Sequence, residues 1–335
     1  MQYTQLGETG IDISKICMGC MSFGKPGTMH DWTLDEEGTD AVVAHTLDLG
    51  ITFFDTANGY SDGTSEEYLG KALSKHTSRE RVVIASKVYF NEGRLSSKAI
   101  HRAIEGTLMR LDTEYLDLYI IHRFDYETPI EETMEALNDL VQSGKVRALG
   151  ASAMYTRQFQ DMQKVAQDNG WAPFSAMENH YNLLYREDEK DLIPLCKKTD
   201  VSLMPYSPLA AGHLTRPTWA ADTLRSATDK VSRGKYDRAE DNDLAIIDRV
   251  QNVAERHNVP MARIAIAWQW AKGIASPIIG ATKTRHLDDA VAALDLELTP
   301  EDISSMEEPY LPHETVGPID SNPPQGVVLL DAEEH

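Results

Sequence analysis

The stretch ITFFDTANGYSDG, Ile51–Gly63, and its sequel RVVIASK, Arg81–Lys87, decide how this chain is read. A buried-looking strand ends on Asp55, a short glycine-containing loop presents Tyr60, a helical segment follows, and the next strand ends on Lys87. The run after that, LDLYIIH, closes on His122. The same rhythm extends outward in both directions. Strands are expected at Ile16–Gly19, Ile51–Asp55, Val82–Ser86, Leu116–His122, Val146–Gly150, Ser175–Glu178, Ser202–Tyr206 and Ser276–Ile279. Apart from one long gap before the last, they recur about every thirty residues, as strand–helix units of an eightfold barrel do.

This pattern predicts an α/β fold, a (β/α)8 TIM barrel forming one domain over residues 1–335. An amino-terminal β-hairpin (YTQL, turn GETG, IDIS) occupies residues 1–15 as a cap. The rival is an open doubly wound sheet, which would show G-x-G-x-x-G after its first strand. GCMSFG at Gly19–Gly24 does not fit that pattern, and GASAM at Gly150 lacks the second glycine of G-x-S-x-G. A barrel also explains where the polar residues fall. Asp55, Lys87, His122, Ser152, Glu178 and Ser207 sit at or just beyond strand carboxyl ends, where barrels place active sites. Thr33 with Glu36, Thr128-Pro129 with Glu131, and Thr299-Pro300 with Asp302 read as helix starts, and Gly50 and Gly144 as stops. Residues 210–243 form a connection too long for an ordinary loop and are expected to act as a flap over a ligand. The Pro-rich, acidic tail, 311–335, is expected either to fray or to fold partly over the barrel mouth.

Composition narrows the partners. The 32 Lys and Arg against 53 Asp and Glu give a formal charge of −21, a field that repels phosphate backbones and anionic lipid. Nucleic acid and membrane surfaces are therefore not expected as partners. The segment MQYTQLGETGIDISKI lacks a basic flank and apolar core, so no signal peptide is expected, and no apolar run approaches a membrane span. Three cysteines, Cys17, Cys20 and Cys196, make no disulfide framework. The CxxC pair lies within a strand-like segment and reads as structural, with no metal site and a reducing cytoplasm as the expected compartment.

Taken singly, Asp55, Tyr60, Lys87 and His122 each have an ordinary structural role. Together on successive strand ends they make a chemical set. A phenol gives or takes a proton at a carbonyl or alcohol oxygen, and a neighbouring ammonium is expected to lower its pKa. An aspartate holds that ammonium, and an imidazole orients the substrate oxygen. A lysine after VVIAS must bury its stem and needs a carboxylate nearby, which points to Asp55. A second constellation, PIIGATKTRH at Pro277–His286, joins a strand end, a glycine and a helix start. Free N–H groups there, with Lys283, Arg285 and His286, suit a phosphate-bearing nucleotide.

These blocks resemble the aldo-keto reductases, in particular the microbial branch similar to potassium-channel β-subunits. The likeness runs in order from LGETG through FFDTANGYSDGTSEEYLGKAL, VVIASKV, LDLYIIHRFD, SGKVRALGAS, ENHYNLLYRE, YSPLAAGHLTRP and IIGATKTRHLDDAVAAL to EEPYLPH. The resemblance implies NADP(H), with NAD(H) as the alternative, bound across the carboxyl-terminal face. It implies a catalytic tetrad of Asp55, Tyr60, Lys87 and His122. Ser152 and Glu178 match residues that contact the nicotinamide carboxamide. Ser207, Leu209 and Gly212 match the pyrophosphate loop, and Gly280, Thr282, Lys283, Arg285, His286 and Asp289 the adenosine-phosphate region. Two positions depart from the family pattern. Ala153 stands where Asn is common, and Glu178 where Gln is common. A carboxylate accepts but does not donate, and if ionised it favours the positively charged oxidised ring.

The expected activity is reversible NAD(P)H-dependent reduction of an aldehyde or ketone to an alcohol, with Tyr60 as proton donor. Trp32, Tyr89, Phe124 and Tyr206 are expected to line the pocket for a small-molecule carbonyl or alcohol, and a homo-oligomer is compatible. A non-catalytic cofactor-binding regulatory subunit is the alternative, against which the intact tetrad argues. A phosphosugar isomerase on the same barrel would leave the tetrad without a purpose.

Overall fold

Side chains alternate across a strand, and here that alternation divides the core in two. The computed structural model describes residues 1–324; the remainder of the expected tail, 325–335, lies outside the described residues. An antiparallel hairpin, β1 (Tyr3–Gln5) with β2 (Asp12–Ser14), opens the chain. Eight parallel strands follow: β3 (Cys17–Gly19), β4 (Phe53–Asp55), β5 (Val83–Val88), β6 (Leu116–Ile121), β7 (Val146–Ser152), β8 (Phe174–Glu178), β9 (Ser202–Leu203) and β10 (Ile278–Gly280). Their ladder order is β10-β3-β4-β5-β6-β7-β8-β9. Between the two ends of that order, Ala275 N–H donates to Leu203 C=O and Ile278 N–H to Pro205 C=O, both at 3.0 Å.

Every second residue points into the barrel. Cys17, Phe53, Val83, Ala85, Leu118, Ile120, Ala148, Ala176, Met204 and Ile278 form this inner cluster, with Leu6 and Ile13 of the hairpin packed against it. The residues between them, such as Met18, Phe54, Ile84, Tyr119, Leu149 and Met177, join the larger cluster under the helices. β9 is shorter than the expected Ser202–Tyr206. Pro205 has no N–H to give a ladder, although Met204 and Tyr206 still donate to Met177 and Asn179 at 2.9 and 3.0 Å.

The helix starts differ in detail from expectation. Asp35, not Thr33, caps the helix Glu36–Asp48 by accepting from Gly38 N–H at 2.9 Å. Thr128 bonds Asp125 at 2.6 Å instead of capping Ile130–Gln142, and Pro129 stands just before that helix. Thr299 and Asp302 form the expected reciprocal box. The 210–243 connection is mostly ordered secondary structure: a turn at Ala210–Thr215, short helices at Leu224–Thr228 and Lys230–Tyr236, and the start of the helix Glu240–His257. It reaches across the strand ends, with Arg225 4.4 Å from the Trp32 ring centroid and Lys235 4.8 Å from that of Tyr206. The described part of the tail lies over the same face. Tyr126 OH donates to Ile319 C=O at 2.7 Å, Asn322 donates to Asp125 at 2.7 Å, and Asn322 Oδ1 accepts from Tyr89 OH at 3.1 Å.

Helix packing behind β5 and β6 leaves no spare room at Gly70. A Cβ there would lie 2.6 Å from the carbonyl oxygen of Leu111. Alanine favours a helix interior by about 1 kcal/mol over glycine, but overpacking against backbone costs about 1–3 kcal/mol. Gly70→Ala is therefore expected to lower the thermal unfolding midpoint. A midpoint equal to or above that of the parent would show that the two helices separate freely.

Candidate active site

The inward-facing period that builds the core also delivers the reactive groups. Phe53 is followed two residues later by Asp55, Ala85 by Lys87, Ile120 by His122 and Ala176 by Glu178. Parallel register then sets the strands side by side, Asp55 opposite Ala85 and Lys87 opposite Ile120. Lys87 is fully buried. Its Nζ donates to Asp55 Oδ2 at 2.5 Å, to Thr56 C=O at 3.0 Å and to Tyr60 OH at 3.2 Å, and Glu178 Oε2 lies 3.4 Å away. The Tyr60 and His122 rings meet edge to face at 5.8 Å. The four residues expected as a tetrad are thus brought together, and Glu178 joins them.

Tyr60 reaches this cluster through a costly turn. Ser61 and Asp62 take φ of 47° and 54°, and Gly63 follows at 86°. Non-glycine residues in the left-handed region cost of order 1 kcal/mol each, so surrounding bonds must hold the turn. Thr56 Oγ1 meets Ser65 Oγ at 3.0 Å, and Ser65 Oγ donates to Cys20 C=O at 2.7 Å. Behind it, buried Glu66 accepts from Ser86 Oγ at 2.5 Å and Arg110 Nε at 2.6 Å, tying the following helix to β5.

Within the cluster the ammonium lowers the phenol's pKa as expected, but against a larger cost of burial. Burial raises the Tyr60 phenol, Lys87 opposes this, Asp55 and Glu178 add to it, and the net direction is upward. The ammonium therefore limits the rise without reversing it, and Tyr60 is a neutral O–H donor. Burial works against the Lys87 charge, but Asp55, Glu178 and Tyr60 overcome it and its pKa rises well above the usual lysine value. Burial, then the Arg123, Lys87 and Lys235 charges, push His122 well below its usual value, so the imidazole is neutral. Its Nδ1 is buried without a hydrogen-bond partner. Burial and the neighbouring Asp55 push Glu178 up to about 8.

The residues expected to meet a nucleotide lie at strand ends and in the two segments that follow β9 and β10. The helix Thr284–Ala292 begins at Lys283 with no side-chain cap and no acidic residue in its first turn. Lys283 and Arg285 both act on half-buried His286, whose pKa burial and these charges lower. Gly280 leaves open space, the nearest atom to an added Cβ being Gly19 O at 4.0 Å. Beyond β9, Ser207, Ala210, Ala211 and Gly212 all have positive φ, and Asn182 holds Ser207 C=O at 2.9 Å. Leu209 packs against the core beneath this loop. Thr282 lies between Gly280 and Lys283 at the end of β10. Ser152 Oγ donates to the Glu178 backbone carbonyl at 2.8 Å. Asp289 is engaged by Arg263 at 2.9 Å, and Asp288 by His45 at 2.7 Å.

The four expected pocket aromatics separate. Tyr206 stacks on His180 at 5.2 Å, while Trp32 stacks on His30 at 4.5 Å and under Arg225. Phe124 meets Tyr126, and Tyr89 meets Phe90. Phe90, not among the expected pocket residues, lies edge to face on His122 at 4.9 Å. Its signal was position alone: three residues past Lys87. Clefts lined by Gln2, Lys15 and Trp270, and by Tyr3, Arg81 and Arg147, lie at the hairpin end, away from this cluster.

Residues 15–310 match the Aldo/keto reductase family. The chain belongs to that family. It is 42% identical over 337 residues to versiconal hemiacetal acetate reductase of Aspergillus parasiticus, covering 93% of this chain and 98% of the relative. A candidate aryl-alcohol dehydrogenase of Schizosaccharomyces pombe is 43% identical over 95% of this chain and 98% of its own length. The crystal structure of a thermostable aldo-keto reductase in complex with the inhibitor epalrestat is 29% identical, with a TM-score of 0.73 over 92% of this chain and all of that one.

Lys87 is the only cation that the two inward carboxyl groups contact within 4 Å among the described residues. Removing one member of a buried pair costs about 3–5 kcal/mol. Lys87→Met should lower the unfolding midpoint, and the loss should grow with pH. Without the ammonium both carboxyls fold neutral, while in the unfolded chain they ionise near pH 4, so the folded state binds more protons at every higher pH. Melting curves at pH 5 and pH 8 check this; an equal loss at both would contradict the sign.

Proposed function

We propose that this aldo/keto reductase family member reduces an aldehyde or ketone to an alcohol, reversibly, with Tyr60 as proton donor and NADP(H) as cofactor. The observation that carries the reading is the buried cluster in which Tyr60 OH lies 3.2 Å from Lys87 Nζ while Lys87 is held by Asp55 at 2.5 Å. A bound nicotinamide supplies the hydride. The protein's own part is proton transfer and orientation. A carbonyl oxygen beside Tyr60 gains negative charge as the reaction proceeds, and the neutral phenol gives it a proton. Lys87 stabilises the phenolate left behind, and Asp55 keeps the ammonium in place. His122, neutral and without a partner for Nδ1, is free to hydrogen-bond the same oxygen from its other nitrogen.

Lys283, Arg285, His286 and the uncapped helix start would hold the adenosine phosphate, and the loop from Ser207 to Gly212, with four residues at positive φ, the pyrophosphate. Ser152 and Glu178 would border the nicotinamide. Asp289 is less suited to a ribose hydroxyl, since Arg263 already occupies it. Phe90 against His122, with Tyr89 against Phe90, forms aromatic surface at this end of the site, which supports an aromatic carbonyl substrate. A relative named as an aryl-alcohol dehydrogenase points the same way, and one named as a hemiacetal acetate reductase supports carbonyl reduction. A reducing compartment suits three buried free cysteines, whose thiols burial pushes upward.

Two measurements test the reading. Tyr60→Phe keeps the ring and removes only the proton donor, so NADPH affinity should hold while kcat falls by about 10²–10⁴. Turnover of benzaldehyde near the parent rate would end the proposal. Charge-assisted phosphate contacts are each worth about 1.5–3 kcal/mol, so NADPH should bind more than tenfold tighter than NADH at low salt. That preference should shrink in salt and largely vanish in Lys283→Ala/Arg285→Ala. Equal dissociation constants for the two nucleotides in the parent protein would refute the phosphate clasp while leaving hydride transfer standing.

A further inference from the structure

Two carboxyl groups compete for one ammonium at the centre of this barrel. Asp55 and Glu178 are both almost fully buried, and both face Lys87 Nζ, at 2.5 and 3.4 Å. Asp55 Oδ1 and Glu178 Oε2 are each buried with no donor from any other residue. These facts together describe a carboxyl pair with unsatisfied oxygens beside a single positive charge. Like charges this close in a dry site do not both ionise readily, and the pair titrates as a unit.

We propose that Asp55 and Glu178 share one proton, and that this proton is released when an oxidised, cationic nicotinamide binds and retained when a reduced one does. The proposal rests on the cofactor reading given above and assigns Glu178 a role that the more common glutamine could not have. With the proton present, Lys87, Asp55 and Glu178 sum to zero charge. When it leaves, a carboxyl O–H bond breaks, the proton passes to solvent, and the cluster carries one net negative charge facing the ring.

Other charged or titratable groups around Glu178 bear on the same balance. Asp55 on β4 opposes its ionisation, while Lys87 on β5 and Arg123 beyond β6 favour it. Cys17 on β3 is a neutral thiol, raised chiefly by burial. Tyr60 is a neutral phenol and His122 a neutral imidazole. Together these leave Glu178 protonated below about 8. The affinity for the oxidised nucleotide should therefore rise with pH up to that point and level off above it, while affinity for the reduced nucleotide should stay nearly flat. Glu178 acts here as a positioning and charge-setting residue.

Calorimetric titration of the full chain with NADP⁺ and with NADPH, in two buffers of different ionisation enthalpy, counts the protons released. Both nucleotides carry the same 2′-phosphate, so the difference between them isolates the nicotinamide. At pH 7 the parent should release close to one more proton with NADP⁺ than with NADPH, and NADP⁺ affinity should climb by as much as about tenfold per pH unit below pH 8. Glu178→Gln should abolish both effects. Asp55→Asn, which removes the competing charge and leaves Glu178 ionised beside Lys87, should abolish them too and serves if the first variant does not fold. An equal release for both nucleotides in the parent, or an undiminished difference in either variant, overturns the linkage. Carboxyl ¹³C NMR of the free protein is a separate readout: one buried carboxyl should titrate near pH 8 and disappear in Glu178→Gln. Titration of every carboxyl below about pH 6 would overturn the shared proton. Failure to bind either nucleotide would sink the cofactor reading and the linkage with it, and the NMR titration would still decide the shared proton.

Discussion

A fully buried lysine ammonium is the constraint on which the rest of this molecule depends. Moving such a charge out of water costs several kcal/mol after relaxation, and only close, well-directed partners offset it. Lys87 has four oxygens within 3.4 Å: Asp55, Thr56 C=O, Tyr60 OH and Glu178. Each comes from a different local geometry. Asp55 is the last residue of its strand, Thr56 the first beyond it, Tyr60 sits on a left-handed turn, and Glu178 ends a strand three places around the sheet. Parallel register and barrel curvature are what bring these distant positions to one atom. The strained Ser61–Gly63 turn is understandable in that light. An unstrained path from Asp55 into the next helix would not deliver the phenol to the ammonium.

The hairpin and the mouth answer to the same geometry from opposite ends. Leu6 and Ile13 close the inner core against Cys17, Phe53 and Met204, so one end of the barrel is apolar and sealed. Polar inward positions are then affordable only at the other end, where strands stop and loops begin. The 210–243 segment and the described tail cover part of that end through Arg225, Lys235, Ile319 and Asn322. Their contacts lower water access around the tetrad, and lower local dielectric strengthens every charge interaction within it.

How much of this was legible beforehand follows from what each signal measures. Apolar runs and their spacing report strands, so all eight parallel strands and the hairpin were placed within a few residues. Strand-end position reports direction as well, which is why Asp55, Lys87 and His122 could be grouped without coordinates. Contacts across the barrel carry no such signal. Glu178 is 91 positions from Lys87 in sequence and touches it only because β5 and β8 curve toward one axis. The Glu66–Arg110 pair, Phe90 against His122, and Arg263 against Asp289 were hidden for the same reason. Asp35 displaced Thr33 as a cap because both residue types cap helices and the sequence offers them two positions apart.

The Tyr60 phenol shows how far one charge reaches: Lys87 lowers its pKa as expected, yet burial and the two carboxyls carry the net shift upward. An ammonium at 3.2 Å does favour the phenolate, but the ammonium is itself neutralised by Asp55 and opposed further by Glu178. What remains at the phenol oxygen is mostly the cost of burying a new negative charge. That balance depends on the carboxyl pair: each proton it holds removes one negative charge facing Tyr60, and each proton it loses raises the cost of phenolate. The acid that serves carbonyl reduction and the site that distinguishes the two nicotinamide charge states are, on the proposed reading, governed by the same few ångströms around Lys87.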